Sequence, residues 1–119
     1  MLGDLAEATL RLGRVDESAR WARRALELAD SIGDRQGRVF ALVLVAAAAR
    51  AAGDLGRAGR LWGAVEREEA QGTVGTWEQV RPDYEELVLA LGDPAFEAGR
   101  AAGRLLSLDE AVEDALSDA

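Results

Sequence analysis

The 119-residue chain has no cysteine, no histidine and no lysine. Without cysteine there can be no disulfide, no thiolate metal site and no cysteine nucleophile. Without histidine the commonest general base and the commonest zinc ligand are missing too. All 14 basic residues are arginine, which reads as a bias of the coding sequence. Aromatic residues make up only 5% of the chain and there are two prolines. That scarcity disfavours a sheet, which draws on aromatic and β-branched side chains. Long apolar runs are absent as well: the longest, the 11 residues from Val39 to Ala49, falls well short of the roughly 18 that a membrane span needs. Met1-Leu2-Gly3-Asp4 opens inside a helical pattern, with no charged leader region and no cleavage site, so a soluble cytoplasmic protein is expected.

What is present favours helices. Apolar residues, mostly alanine, account for 49% of the chain, and alanine is the best helix former and lets helices approach closely. The length suits one domain that buries roughly two-thirds of its unfolded surface. The net charge of −8 is uneven. Residues 1–60 carry 10 Arg against 8 acidic residues (+2), and residues 61–119 carry 4 against 14 (−10). The acidic half would repel a nucleic-acid backbone and the first half is too weakly basic to hold one by charge.

The periodicity predicts seven helical segments and no strand. The first runs from Leu2 to Leu12 with Leu2, Leu5, Ala6, Thr9 and Leu12 on one stripe, and Gly13 stops it. Asp16 and Glu17 open a second, whose inner face is Ala22, Ala25, Leu26 and Ala29. Asp34 is a candidate N-cap for the third, Arg35 to Ala52, which is apolar all round and should be the centre of the domain. The fourth, Leu55 to Ala70, turns Ala58, Leu61, Trp62 and Val65 inward, and residues 71–75 form a loop. Thr76 to Gln79 has the spacing of a capping box, and Pro82 is expected at the first position of a helix ending near Leu91. Asp93-Pro94 starts a short helix to Gly103, and a second capping box at Ser107 and Glu110 opens the last, Leu108 to Leu116.

One stretch occurs twice. Gly13-Arg14-Val15-Asp16-Glu17-Ser18-Ala19-Arg20-Trp21-Ala22 returns 40 residues later as Gly53-Asp54-Leu55-Gly56-Arg57-Ala58-Gly59-Arg60-Leu61-Trp62. A period of that size belongs to stacked helical hairpins. The two copies resemble tetratricopeptide repeats: Leu2, Leu5 and Ala6, then Gly13, then Ser18, Ala22 and Ala25 match the motif, as do Leu42, Val45 and Ala46, then Gly53, then Ala58, Trp62 and Val65. Ser18, Val65 and the longer period depart from it. Arg60 to Glu66, Tyr84, Ala95-Phe96, Gly99-Arg100 and Leu106 to Val112 are, in that order, similar to the C-terminal region of actinobacterial LuxR-type and predicted-ATPase transcriptional regulators. The chain has neither a phosphate-binding glycine loop nor a helix-turn-helix signature. The resemblance therefore implies the sensor or scaffold tail of such a regulator. It implies an all-α fold of two antiparallel hairpins (about residues 2–32 and 34–70, within 1–72) in a right-handed superhelix. A C-terminal helical cap spans 73–119.

The same resemblance places Glu7, Arg11, Phe40, Val43, Ala47 and Arg50 on the concave side, where partner peptides lie. Val43 and Ala47 are apolar for such a surface, so a peptide, the C-terminal helices or another subunit should cover them. Tryptophan is enriched at interface hot spots, which makes Trp21 and Trp77 candidate anchors, while Trp62 belongs to packing. Glu66, Glu68, Glu69, Glu85 and Glu86 form the densest carboxylate set. A solvated face explains them better than an acid–base pair or metal site. Arg20, Arg23 and Arg24 form a basic face that should pair with Asp16, Glu17 and Glu27. The expectation is a non-enzymatic protein-interaction module with no cofactor and no metal, binding a protein or peptide and neither nucleic acid nor membrane, with a homodimer through the N-terminal repeat possible. The competing reading is a structural cap on a larger nucleotide-driven switch, with no ligand of its own.

Overall fold

The computed structural model describes residues 2–117, and the side chain of Leu2 lies outside the described set, so its place on the first stripe is not assessed. Seven helices occupy the described residues: α1 (Leu2–Arg11), α2 (Val15–Ser31), α3 (Arg35–Ala51), α4 (Leu55–Ala70), α5 (Trp77–Val88), α6 (Pro94–Gly103) and α7 (Leu108–Leu116). The fold is all-α, and among the described residues no helix is long and apolar enough to cross a membrane.

The turns between the first four helices share one geometry. Gly13, Gly33 and Gly53 have φ of 80°, 67° and 90°. In each case the next residue's N–H donates to a carbonyl five residues back: Arg14 to Thr9 at 2.8 Å, Asp34 to Ala29 at 3.0 Å and Asp54 to Ala49 at 2.8 Å. Only glycine enters that left-handed region without steric cost, so these positions fix where each helix stops and how the next returns. α3 has no polar face from Val39 to Ala48, and it is surrounded by α1, α2, α4, α5 and α7. Its residues Val39, Leu42, Val43 and Ala46 are fully buried.

The first stripe is only partly inward. Ala6 and Thr9 are buried, whereas Leu5 is 42% and Leu12 69% exposed. Thr9 satisfies its hydroxyl on the Leu5 and Ala6 carbonyls, and Ser18 Oγ donates to the Ala6 carbonyl at 2.6 Å. Ser18 thus does at the α1–α2 crossing what the usual alanine cannot, which is to bond one helix to the other.

α4 and α6 cross with their backbones in contact. A Cβ on Gly59 would lie 2.1 Å from the Phe96 carbonyl oxygen, one on Gly63 2.1 Å from that of Arg100, and one on Gly103 1.9 Å from that of Arg60. Phe96 is sealed beneath this crossing. The capped starts of the last two helices match their sequence signatures. Asp93 accepts from the Phe96 N–H, and Ser107 with Glu110 forms a full reciprocal capping box.

α5 differs from its expected form. The capping box at Thr76 does not form, because Gln36 of α3 takes both groups: its Nε2 donates to Thr76 Oγ1 at 3.0 Å and its Oε1 accepts from the Thr76 N–H at 3.1 Å. Helix α5 starts at Trp77, so Pro82 lies inside it and not at its first position, and it ends at Val88, before Leu91. Burial of Trp77, Tyr84 and Val88 against α3 outweighs the hydrogen bond that proline removes.

Candidate interaction surface

The expected concave face is occupied by the chain itself. α5 lies on α3, and Phe40 meets Tyr84 edge-on at 5.1 Å between ring centroids and Trp77 at 6.4 Å. Val43 and Ala47 are buried, at 0% and 1% exposure. Their apolar character is explained by this cover. Glu7 on α1 accepts from the Tyr84 hydroxyl and from Arg11 Nε, the latter at 3.0 Å. The Tyr84 hydrogen bond, joined by Arg11, outweighs burial and holds the Glu7 carboxyl below its usual range. Burial, together with that same carboxylate, pushes the Tyr84 phenol up, so it stays a donor. Arg50 Nη1 reaches the Glu86 and Leu87 carbonyls at 3.4 Å each, at the end of α5. The six residues placed on the groove are therefore brought together, but they line or fasten an internal interface.

Trp77 is 1% exposed and donates Nε1–H to Glu69 at 3.0 Å, so it is not free to anchor a partner. Trp21 is half-buried and stands beside Arg20, Arg24 and Glu27 in a shallow depression of about 520 Å³ on α2, open to contact. In the basic face Arg14 pairs with Glu17 at 3.8 Å, while Arg23 donates to the Leu116 carbonyl. Arg57 Nη2 donates to the Ala115 carbonyl at 2.7 Å. Two arginines from α2 and α4 thus meet the negative end of α7, which has no basic residue of its own in its last turn. Arg60 adds a two-pronged pair with Asp114.

Four of the five carboxylates, Glu66, Glu68, Glu69 and Glu85, pair with arginines. Glu66 receives both prongs of Arg100, at 2.8 and 2.7 Å, and Arg104 as well. Burial alone would lift the Glu66 carboxyl, but these two guanidiniums outweigh it and hold it below its usual value. Glu69 binds Arg81 at 2.6 and 3.1 Å, and Glu68 binds Arg35 at 3.2 Å. Arg81 in turn lies over the Trp62 ring, 4.9 Å from its centroid. Among the described residues no cluster of three acidic groups could hold a metal ion.

Two features escaped the reading of the sequence. Gly59 and Gly63 on α4 face Gly99 and Gly103 on α6; the repeated four-residue spacing of glycine in both segments was the available signal. The other is an apolar cleft of about 710 Å³ where α1, α2 and α3 meet. Leu5, Leu28, Ile32 and Phe40 line it, and Leu28 and Ile32 are 56% and 70% exposed. Assigning Leu5 to the inner stripe hid it. No family model, no curated protein and no solved structure matches this chain.

Proposed function

We propose that the protein is a non-enzymatic protein-interaction module, the sensor or scaffold tail of a cytoplasmic transcriptional regulator, built on tetratricopeptide-like hairpins. The cleft at Leu5, Leu28 and Ile32 carries this reading. Soluble chains seldom leave large side chains clustered in a concave apolar site unless something binds there. Glu66, Glu68, Glu69 and Glu85, four of the five carboxylates in the set, are engaged by arginines, which supports a binding role over a catalytic one. The acidic C-terminal half favours a protein or peptide partner over nucleic acid.

A photo-crosslinking residue at position 32, with positions 91 and 105 as controls, tests the reading. Leu91 and Leu105 are at least about as exposed as Ile32 but lie outside the cleft. Discrete, identified protein adducts from position 32 alone are expected. No adducts, or the same adducts from all three positions, would favour the competing reading, a structural cap without a ligand. That reading draws its support from the α5 cover on α3. Light scattering over a concentration series shows whether the partner is a second copy of the chain.

A further inference from the structure

α7 is attached differently from the two helices before it. α5 buries Trp77, Tyr84 and Val88, and α6 meets the α4 backbone through glycines. α7 packs against α2, α3 and α4 through three small buried side chains, Ala111, Val112 and Ala115. Its nine residues include Asp109, Glu110, Glu113 and Asp114 and no basic residue. Four arginines from the three helices beneath it meet that charge and the helix end. Arg38 of α3 binds Asp109 at 2.9 Å, and Arg60 of α4 binds Asp114. Arg57 of α4 donates to the Ala115 carbonyl at 2.7 Å, and Arg23 of α2 donates to that of Leu116.

α7 therefore runs along α3, from Arg38 near the start of α3 toward its end. The channel between α2 and α4 does not stop where α7 does. At Ala115 it continues as a pocket of about 290 Å³, floored by Val45, Ala48 and Ala49 of α3 and flanked by Arg20, Arg23 and Arg57. Asp16 and Asp54 share that lining, and Asp54 is committed to the Arg57 N–H as an N-cap. Arg38 and Arg57, one toward each end of α7, each keep a buried Nε with no acceptor among the described residues. A helix that meets these cations, leaves two buried N–H groups unpaired and stops short of the channel's end is an incomplete ligand.

We propose that the α2–α3–α4 channel docks an acidic amphipathic helix of a protein partner, and that α7 is an intramolecular latch which this helix displaces. The fitting helix repeats the pattern of α7, with small apolar residues spaced as Ala111, Val112 and Ala115 and carboxylates between them, and extends far enough to fill the pocket at Ala115. The latch is weakly held. A nine-residue helix has little stability of its own. Its ion pairs reach solvent, with the Asp109 side chain 86% and that of Arg60 37% exposed, where such pairs contribute little and salt screens them. The channel goes beyond the reading above: it shares no lining residue with the cleft at Leu28 and Ile32, so the crosslinking result bears on the cleft and leaves the channel to its own test.

Hydrogen-exchange mass spectrometry on the wild-type chain reads the latch. On going from low salt to about 1 M, α7 amides should exchange about tenfold faster or more, while α4 and α6 keep their protection. Asp114→Arg sets a cation against Arg60 and opens the latch, and unchanged protection in α4 and α6 shows that this variant folds. A labelled, helix-stapled peptide with the sequence of residues 107–117 should bind it about tenfold or more tightly than wild type, where tethered α7 competes at high effective concentration. The same peptide with its aspartates changed to arginine should not bind, and one lengthened by two alanine-rich turns with a glutamate should bind more tightly. Exchange in α7 as slow as in α4, or indifferent to salt, would overturn the latch even if the variant failed to fold. Equal peptide binding to variant and wild type, or binding of the charge-reversed peptide, would overturn the docking surface, and no gain from the longer peptide would remove the pocket from it. A wild-type dimer in light scattering that Asp114→Arg dissolves would make the occupant a second copy and overturn the partner.

Discussion

At the α4–α6 crossing the helix backbones touch through glycines, and Arg100 and Arg104 close over Glu66 beside them. Where α1, α2 and α3 meet, leucine and isoleucine stand in solvent around a cleft. One region has used its apolar surface internally; the other leaves Leu28 and Ile32 exposed. On the proposed function, the contrast divides the molecule into a part that holds the fold and a part offered for binding. α5 belongs with the first, since it covers Val43 and Ala47.

The strongest test of that division is Val43→Asp. On an open groove the change would be tolerated. Beneath α5 it leaves a carboxylate at a site of 0% exposure, and a loss of about 4 kcal/mol or outright unfolding is expected in urea denaturation. Near-normal stability would mean that α5 lifts away from α3 readily. Next in size is Gly103→Ala. Helix propensity favours alanine by about 1 kcal/mol, but the new methyl would sit 1.9 Å from the Arg60 carbonyl oxygen. The helices must separate, and a net loss of about 2–4 kcal/mol should follow. A gain in stability would show that α4 and α6 can separate at little cost.

Much of the fold was legible because local signals agreed with tertiary ones. The stops at Gly13 and Gly53, the caps at Asp93 and Ser107 and the all-apolar α3 needed only spacing and residue type. The start of α5 was not legible, since Gln36, 40 residues away, takes the groups that a local capping box would use. Leu5 and Trp77 misled for related reasons. A helical stripe tells which residues share a face but not how far the neighbouring helix covers it, and a tryptophan beside a loop looks exposed until α3 and Glu69 are in place.

A third perturbation, of intermediate size, acts through pH. The Glu66 carboxyl is held below its ordinary value of 4.5 by Arg100 and Arg104. A carboxyl whose folded pKa is depressed contributes stability that is fully present above the unfolded value and is lost as pH falls through the folded one. Glu66→Gln should therefore cost about 1–2 kcal/mol at neutral pH and less at progressively lower pH below about 4.5. Stability curves over pH would show wild type and variant converging in acid. Parallel curves would mean that Glu66 contributes packing and no charge.

The smallest stability effect falls at the open end, and for that reason it sharpens the comparison most. Leu28→Asp with Ile32→Asp removes two large side chains that are already 56% and 70% in solvent. Little burial is lost on folding, so stability should shift by no more than about 0.5 kcal/mol. Binding of an apolar reporter dye such as ANS should nevertheless fall, because the cleft loses two of its apolar walls and gains charge next to Asp4 and Asp34. Leu105→Asp, at a side chain that is 80% exposed but outside the cleft, should leave dye binding as it was. If the paired change destabilised the fold as strongly as Gly103→Ala, Leu28 and Ile32 would belong to the core, and the distinction between a holding region and a binding region would collapse.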